Sequence, residues 1–310
     1  VNDRDSMKKY LVIISLCLFS LKAAYAEYAE VTLLGTGTPR PSIERFGAAT
    51  LVNAGGKYFL FDAGRGVTIR LNQAGITPDQ IGHVFLTHLH SDHISGLDDL
   101  WITGWIWQRE HPLQVSGPAG TDNLVESLRH AYVSDIIYRT ENTSLDDNKT
   151  QIESFEIEEG VVYDREGVKI TAFLVDHKPV VPAFGYRVDF GDRSIVISGD
   201  TTFSDNLIRH AQHADLLVHE IADASQGLLK KNKRLQSILA YHTTPSQMIR
   251  LLAQTQPRMT VLNHVLLFGV APDKVLAQIS DGYKGRVEMG YDLMKISIGS
   301  KITTQNLHTN

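Results

Sequence analysis

The chain has 310 residues, 43% hydrophobic and 21% charged, a balance found in folded globular proteins and not in disordered or collagen-like ones. A formal charge of −5 leaves no overall excess of positive charge for gripping nucleic acid or anionic lipid, although a local basic patch could hide in that sum. Cys17 is the single cysteine and lies in a segment that reads as removed, so any metal ligation falls to histidine and carboxylate.

Lys8 and Lys9, an apolar run over residues 11–21, and Ala24-Tyr25-Ala26 together describe a secretory signal peptide cleaved after Ala26. Met7 reads as the start, with residues 1–6 an upstream extension. The apolar run falls short of the roughly 20 residues needed to span a bilayer, which predicts no membrane anchor in the mature form and a periplasmic or secreted location. Leu16, not a small residue, precedes Cys17, which argues against a lipid anchor. The removed segment carries Arg4, Lys8, Lys9 and Lys22 against Asp3 and Asp5, so cleavage takes the formal charge from −5 to −7. Residues 27–310 are then one hydrolase domain, with oligomerisation left open.

Residues 30–34 read as a strand ending at Gly35-Thr36-Gly37-Thr38-Pro39. Residues 49–52 and 58–61 flank Ala54-Gly55-Gly56 as a hairpin. A short amphipathic helix is expected over 67–74 and a strand over 83–86, followed by helices over 94–107 and 122–133 and a polar loop over 140–149. Strands resume at 168–175, 183–188 and 194–198, with Gly191-Asp192 as a tight turn. A second alternation follows: strand 216–219, helix 245–253, strand 260–263, helix 272–279. Strands alternating with helices in two blocks predict a layered α/β domain.

The strand at 83–86 delivers His88-Leu89-His90-Ser91-Asp92-His93 at its carboxyl end. In extended chain, residues two apart point the same way, so His88 and His90 can approach one metal, while Asp92 and His93 turn toward a second. Imidazole and carboxylate without thiolate suit zinc, with manganese or iron as alternative occupants.

This run resembles the signature of the metallo-β-lactamase superfamily, which implies a four-layer αββα sandwich with the site at one edge between two sheets. The resemblance implies that His88, His90 and His177 bind one metal, that Asp92, His93 and His264 bind the other, and that Asp200 in Ser198-Gly199-Asp200-Thr201 bridges them. Asp62 in Phe61-Asp62-Ala63-Gly64 would stand behind the ligands. Two close dications lower the pKa of a shared water until it can attack an ester near neutral pH. His219-Glu220 and His242, in Tyr241-His242-Thr243-Thr244-Pro245, are similar to the acid machinery of the ribonuclease Z branch. A histidine held by a carboxylate can protonate a leaving oxygen, and His242 with Glu220 is the favoured pair, with His219 behind it. Asp92 is both ligand and the residue whose loss should abolish hydrolysis.

The opening Gly35-Thr36-Gly37-Thr38-Pro39 and the stretch Pro182-Ala183-Phe184-Gly185-Tyr186-Arg187 also resemble ribonuclease Z. Transfer-RNA processing members carry a basic arm between the counterparts of Tyr186-Arg187 and Ser198-Gly199-Asp200; here only residues 188–197 intervene. That shortness, the acidic total and the export signal argue against nucleic acid as a partner and for a small-molecule ester. The stretch from Phe61 to Gln73 and Trp101-Ile102-Thr103-Gly104-Trp105 resemble exported zinc-dependent arylsulfatases, which implies hydrolysis of aryl sulfate esters, with phosphodiester hydrolysis as the alternative. Lactonase or β-lactamase activity would leave the ribonuclease Z-like motifs unexplained; metal binding without turnover is a separate alternative, distinguished by whether Asp92→Ala abolishes hydrolysis. Trp101 and Trp105 share a helix face; such a pair more often packs into the core, and the alternative is a flat wall for an aromatic substrate.

Overall fold

The computed structural model describes residues 28–143 and 145–309; the signal-peptide expectation lies outside them. In chain order the strands are β1 (Ala29–Gly35), β2 (Ala49–Ala54), β3 (Lys57–Phe61), β4 (His83–Phe85), β5 (Leu113–Gly117), β6 (Ile152–Glu156), β7 (Gly160–Arg165) and β8 (Val168–Leu174). There follow β9 (Phe184–Phe190), β10 (Arg193–Ile197), β11 (Leu216–Ala224), β12 (Met259–Phe268), β13 (Val287–Met289), β14 (Met294–Ile298) and β15 (Ile302–Asn306). Among the described residues they pair as an eight-stranded sheet, β15-β14-β1-β2-β3-β4-β5-β6, and a seven-stranded sheet, β13-β12-β11-β10-β9-β8-β7.

Alternation along the strands sets the layers. Phe59 and Phe61 of β3 face the space between the sheets, where Phe61 meets Tyr186 of β9 with ring centroids 5.3 Å apart. Leu60, between them, faces the other way and packs with Val67, Leu71, Leu97 and Trp101 of the helices Val67–Gln73 and Leu97–Ile106. On the second sheet, Leu216 and Val218 face inward, while Leu217 meets Leu207, Met248 and Val275 of the helices Asp205–Ala211, Pro245–Thr255 and Pro272–Gly282. Central strands buried on both faces read as nearly unbroken apolar runs, as Val31 to Leu34 and Leu216 to Val218 do. The result is the αββα sandwich. Each fully buried large side chain contributes about 1.5–3 kcal/mol on leaving water, so three apolar layers supply the main stabilisation.

Boundaries differ from the sequence expectation where tertiary contacts intervene. The helix expected over 94–107 is two pieces, Ser91–Ile94 and Leu97–Ile106. They part where Gly96 donates its N–H to the Ala63 carbonyl (2.8 Å) and lies so close to Gly64 that a Cβ would sit 2.4 Å from the Gly64 oxygen. The helix expected over 122–133 runs as Thr121–Asn142, through the start of the expected loop, because Leu128, Tyr132 and Ile136 continue an inward-facing stripe.

The loop after β1 is tied down by one carboxylate. Asp292, fully buried, accepts from the Thr36 N–H (2.9 Å), the Thr36 hydroxyl (2.8 Å) and the Phe46 N–H (2.7 Å), and pairs with Arg70 (3.0 Å). Both ends of the loop 36–46 are thereby fixed beside the sheet edge. Replacing one member of a buried, hydrogen-bonded ion pair leaves the other uncompensated. Asp292→Ala should therefore cost about 3–5 kcal/mol in a urea denaturation series, and a loss below about 1 kcal/mol would contradict this role.

Candidate metal centre

Four chain segments reach one edge of the sandwich, each by a different local device. His88 and His90 follow β4 in extended chain, and Asp92 and His93 occupy the short helix Ser91–Ile94 directly after. That helix is pressed against the β3 end: Ala63 donates to the His93 carbonyl (2.7 Å), and a Cβ on Gly64 would stand 2.4 Å from the Asp92 carbonyl oxygen. Glycine at 64 is therefore required by close approach of two backbones. Asp200 follows β10 after Gly199, whose φ is +60°. His264 sits inside β12 at φ +40°, where the pairing with β11 skips from Glu220–Asn263 to Ile221–Val265. It is the extra residue of a β-bulge, a device that re-aims a side chain out of the alternating pattern.

The structure brings the seven expected ligand residues together in two sets. Ligand atoms of His88, His90, His177 and Asp200 lie within 4.8 Å of one another, as do those of Asp92, His93 and His264. Asp200 stands between the sets: Oδ2 is 3.8 Å from His88 Nε2, 3.9 Å from His177 Nε2 and 3.5 Å from His93 Nε2, and Oδ1 is 3.4 Å from His264 Nδ1. All are buried except His90, which faces the cleft.

The residues fit a cation because of where their protons must be. His93 Nδ1 donates to Asp62 Oδ2 (2.8 Å) and His177 Nδ1 to the Tyr241 carbonyl (3.1 Å). In the neutral imidazole the opposite nitrogen then carries a lone pair. These inner lone pairs face the Asp200 carboxylate and further imidazoles: His93 Nε2 is 3.5 Å from Asp200 Oδ2 and 3.3 Å from His264 Nε2, and His177 Nε2 is 3.9 Å from Asp200 Oδ2 and 3.4 Å from His90 Nδ1. Asp200 Oδ1 and His264 Nδ1 are buried without a hydrogen-bond partner. Buried acceptors converging on one another call for positive charge at the middle. Burial pushes the imidazoles of His88, His90 and His177 below their ordinary range, which keeps them in the neutral form that ligates. Burial acts the same way on His93, but the Asp200 and Asp62 carboxylates outweigh it and hold its pKa well above the usual value, marking a point where a cation is favoured.

Asp62 is the hub behind the ligands. It adopts φ +61°, unusual for a non-glycine residue, and also accepts from the Thr87 N–H (2.8 Å) and hydroxyl (2.9 Å). Thr87 Oγ1 in turn meets His88 Nδ1 (3.0 Å), so one carboxylate orients a histidine of each set. Thr87 is missing from the sequence reading, since a threonine beside a histidine run carries no local signal.

His242 Nδ1 lies 3.0 Å from Glu220 Oε1, which also accepts the N–H groups of Thr243 (2.9 Å) and Thr201 (3.2 Å). Burial would lower the His242 pKa, but Glu220 and then Asp200 raise it to about 9. Its ligand atom also lies within 4.8 Å of those of Asp200 and His264. His219 is turned away: its Nδ1 meets the Glu220 carbonyl (2.7 Å), and no hydrogen bond joins it to the cluster among the described residues. Neighbours on a strand point to opposite faces, so Glu220 reaches the site and His219 does not.

Trp101 and Trp105 require correction as a substrate wall. Both are buried, at 1% and 0% exposure, with their indole N–H groups donating to the carbonyls of Thr150 (2.7 Å) and Asp146 (3.1 Å). The face they share is the core face of their helix. The cleft over the cluster, about 440 Å³, is instead walled by Arg40 on one side and Arg234, Ile238 and Tyr241 on the other, with Leu266 and Phe268 behind.

A family model described as anti-Pycsar protein Apyc1 matches residues 29–264. A ribonuclease Z of Mycobacterium sp. (strain KMS) is 36% identical over 87% of this chain and 96% of its own length. Among solved structures, the metallo-β-lactamase-fold protein YhfI of Bacillus subtilis superposes with a TM-score of 0.70 at 18% identity, covering 88% of this chain and all of YhfI. The short form of human tRNase Z superposes with a TM-score of 0.64 at 24% identity, covering 86% of this chain and 98% of the human one. The expectation that nucleic acid is not a partner is overturned by the ribonuclease kinship. Net charge is a sum over the whole chain and is blind to where its charges sit.

Asp62→Asn keeps the size of the side chain but weakens its hold on His93 Nδ1 and Thr87. Loss of such an orienting group typically lowers metal affinity 10–100-fold, measurable by zinc competition against a chromophoric chelator. Unchanged affinity would show that Asp62 does not orient the ligands.

Proposed function

The chain belongs to the ribonuclease Z and Apyc1 family of metallo-β-lactamase-fold hydrolases, and from that premise we propose that it is a zinc-dependent phosphodiesterase. The observation that carries the reading is the His242–Glu220 pair beside the Asp200 cluster, in one cleft with Arg40 and Arg234. His88, His90, His177 and Asp200 would hold one divalent ion, and Asp92, His93 and His264, with Asp200 between, the other. Bound there, the two ions would supply a nucleophile from water at neutral pH and polarise the ester oxygens.

The chain's own residues account for the remaining steps. Glu220 fixes the His242 ring by its Nδ1, leaving Nε2 to hand a proton to the departing oxygen as the phosphorus–oxygen bond breaks. Water and a phosphodiester thus give a phosphomonoester and an alcohol. Arg40 and Arg234 at the cleft lip offer guanidinium groups suited to phosphate oxygens. Tyr241, Ile238 and Phe268 give an apolar surface on which an organic leaving group or base can lie. None of the relatives named above is a sulfatase, so aryl sulfate hydrolysis gives way to the phosphodiester alternative.

A general acid matters in proportion to how badly the leaving group departs as an anion. With zinc-loaded protein, His242→Ala should lower kcat on a dinucleoside phosphodiester by roughly 10²–10⁴, and by less than about tenfold on bis(4-nitrophenyl) phosphate. Equal losses on both would remove His242 from the acid role. Faster turnover of an aryl sulfate than of either diester would restore the sulfatase reading.

A further inference from the structure

A basic run reaches the cleft at one residue, Arg234, in a chain of net negative charge. Lys230, Lys231, Lys233 and Arg234 lie within five consecutive positions, on and between the short helices Gln226–Leu229 and Lys233–Leu239. All four are exposed, and among the described residues none forms an ion pair. From Ala224 to Pro272 the chain has no aspartate or glutamate, so nothing nearby in sequence neutralises them.

Their position relates them to the site. The segment follows β11, the strand that carries Glu220, from its end at Ala224 and leads to His242, Glu220 and His242 being the partners of the ion pair in the site. Arg234 itself lines the cleft, with Ser237, Ile238 and Tyr241 on the same segment, while the three lysines do not. Arg40 faces the cleft from the loop after β1, so cations border it from two separate segments. Folding gains nothing evident from four clustered, unpaired cations, whereas a polyanion laid across the lip would meet each of them.

We propose that the run 230–234, with Arg40, is a strand-gripping surface that binds the phosphates flanking the scissile phosphodiester of a nucleic-acid chain. This rests on the phosphodiesterase reading and adds to it a binding surface outside the cleft, formed by this chain's own run of cations, for the strand beside the reacting diester. The cleft takes the reacting phosphodiester, and the lysines, lying beyond the lip, contact the neighbouring backbone. Because they touch phosphate and no base edge, the grip is indifferent to sequence and sensitive to salt.

The test compares the full chain with Lys230→Ser/Lys231→Ser/Lys233→Ser, leaving Arg234 in place. Binding of a fluorescent single-stranded oligoribonucleotide is followed by anisotropy across a salt series with chelator present, so that the strand stays intact. The expected result is at least tenfold weaker binding, with the slope of log affinity against log salt reduced by about 2 for three lost phosphate contacts. Hydrolysis of bis(4-nitrophenyl) phosphate by the zinc-loaded variant should stay within twofold of the parent, which also shows that the variant folds. Equal binding by parent and variant overturns the surface, as does adsorption to anionic phospholipid vesicles with no oligonucleotide binding. Absence of diester hydrolysis by the parent overturns instead the reading of the site, and the binding comparison still decides the surface.

Discussion

Acceptor atoms buried against one another are stable only around positive charge, and the sandwich edge is built on that constraint. His93 and His177 direct their outer protons to Asp62 and to the Tyr241 carbonyl, so that in the neutral rings a cation needs, the inner nitrogens carry the lone pairs. Those nitrogens face His264, His90 and Asp200 at 3.3–3.9 Å. The fold creates a place for dications by fixing what lies behind the ligands as firmly as the ligands themselves.

The backbone departures at this edge serve the same end. Asp62 and His264 hold positive φ, and Gly64 admits the Asp92 carbonyl at a distance no side chain would allow. Asp292 anchors the loop that carries Arg40 to the cleft, and Glu220 anchors the His242 ring that lines it. Local strain of this kind persists because three apolar layers over-determine the strands that bear it.

Much of this was legible in the sequence. The run from His88 to His93 is dense enough to stand alone, since its spacing and the preceding strand bring the side chains together without help from the rest of the chain. His177, Asp200 and His264 carry no local signature and were reached only through order and resemblance. A bulge residue such as His264 contradicts the alternation that strand reading depends on. Trp101 and Trp105 belong to the core, which spacing alone could not decide, because an aromatic pair on one helix face has the same spacing whether that face meets substrate or core. His219 stays out of the cluster while Glu220 reaches it, because adjacency in sequence is opposition in a strand. The basic run near the cleft vanished into a negative total, and with it the case for a nucleic-acid partner. Sulfate and phosphate esters are tetrahedral anions alike, and no residue in the run tells them apart.

The central claim is that a paired metal centre, formed by these side chains, performs the hydrolysis. Elemental analysis of purified protein that hydrolyses a phosphodiester tests it most directly. Two divalent ions per chain are expected, with the occupancy falling when His93 or Asp200 is replaced by alanine. Hydrolysis by protein that holds no divalent ion, or an ion content indifferent to both replacements, would contradict it.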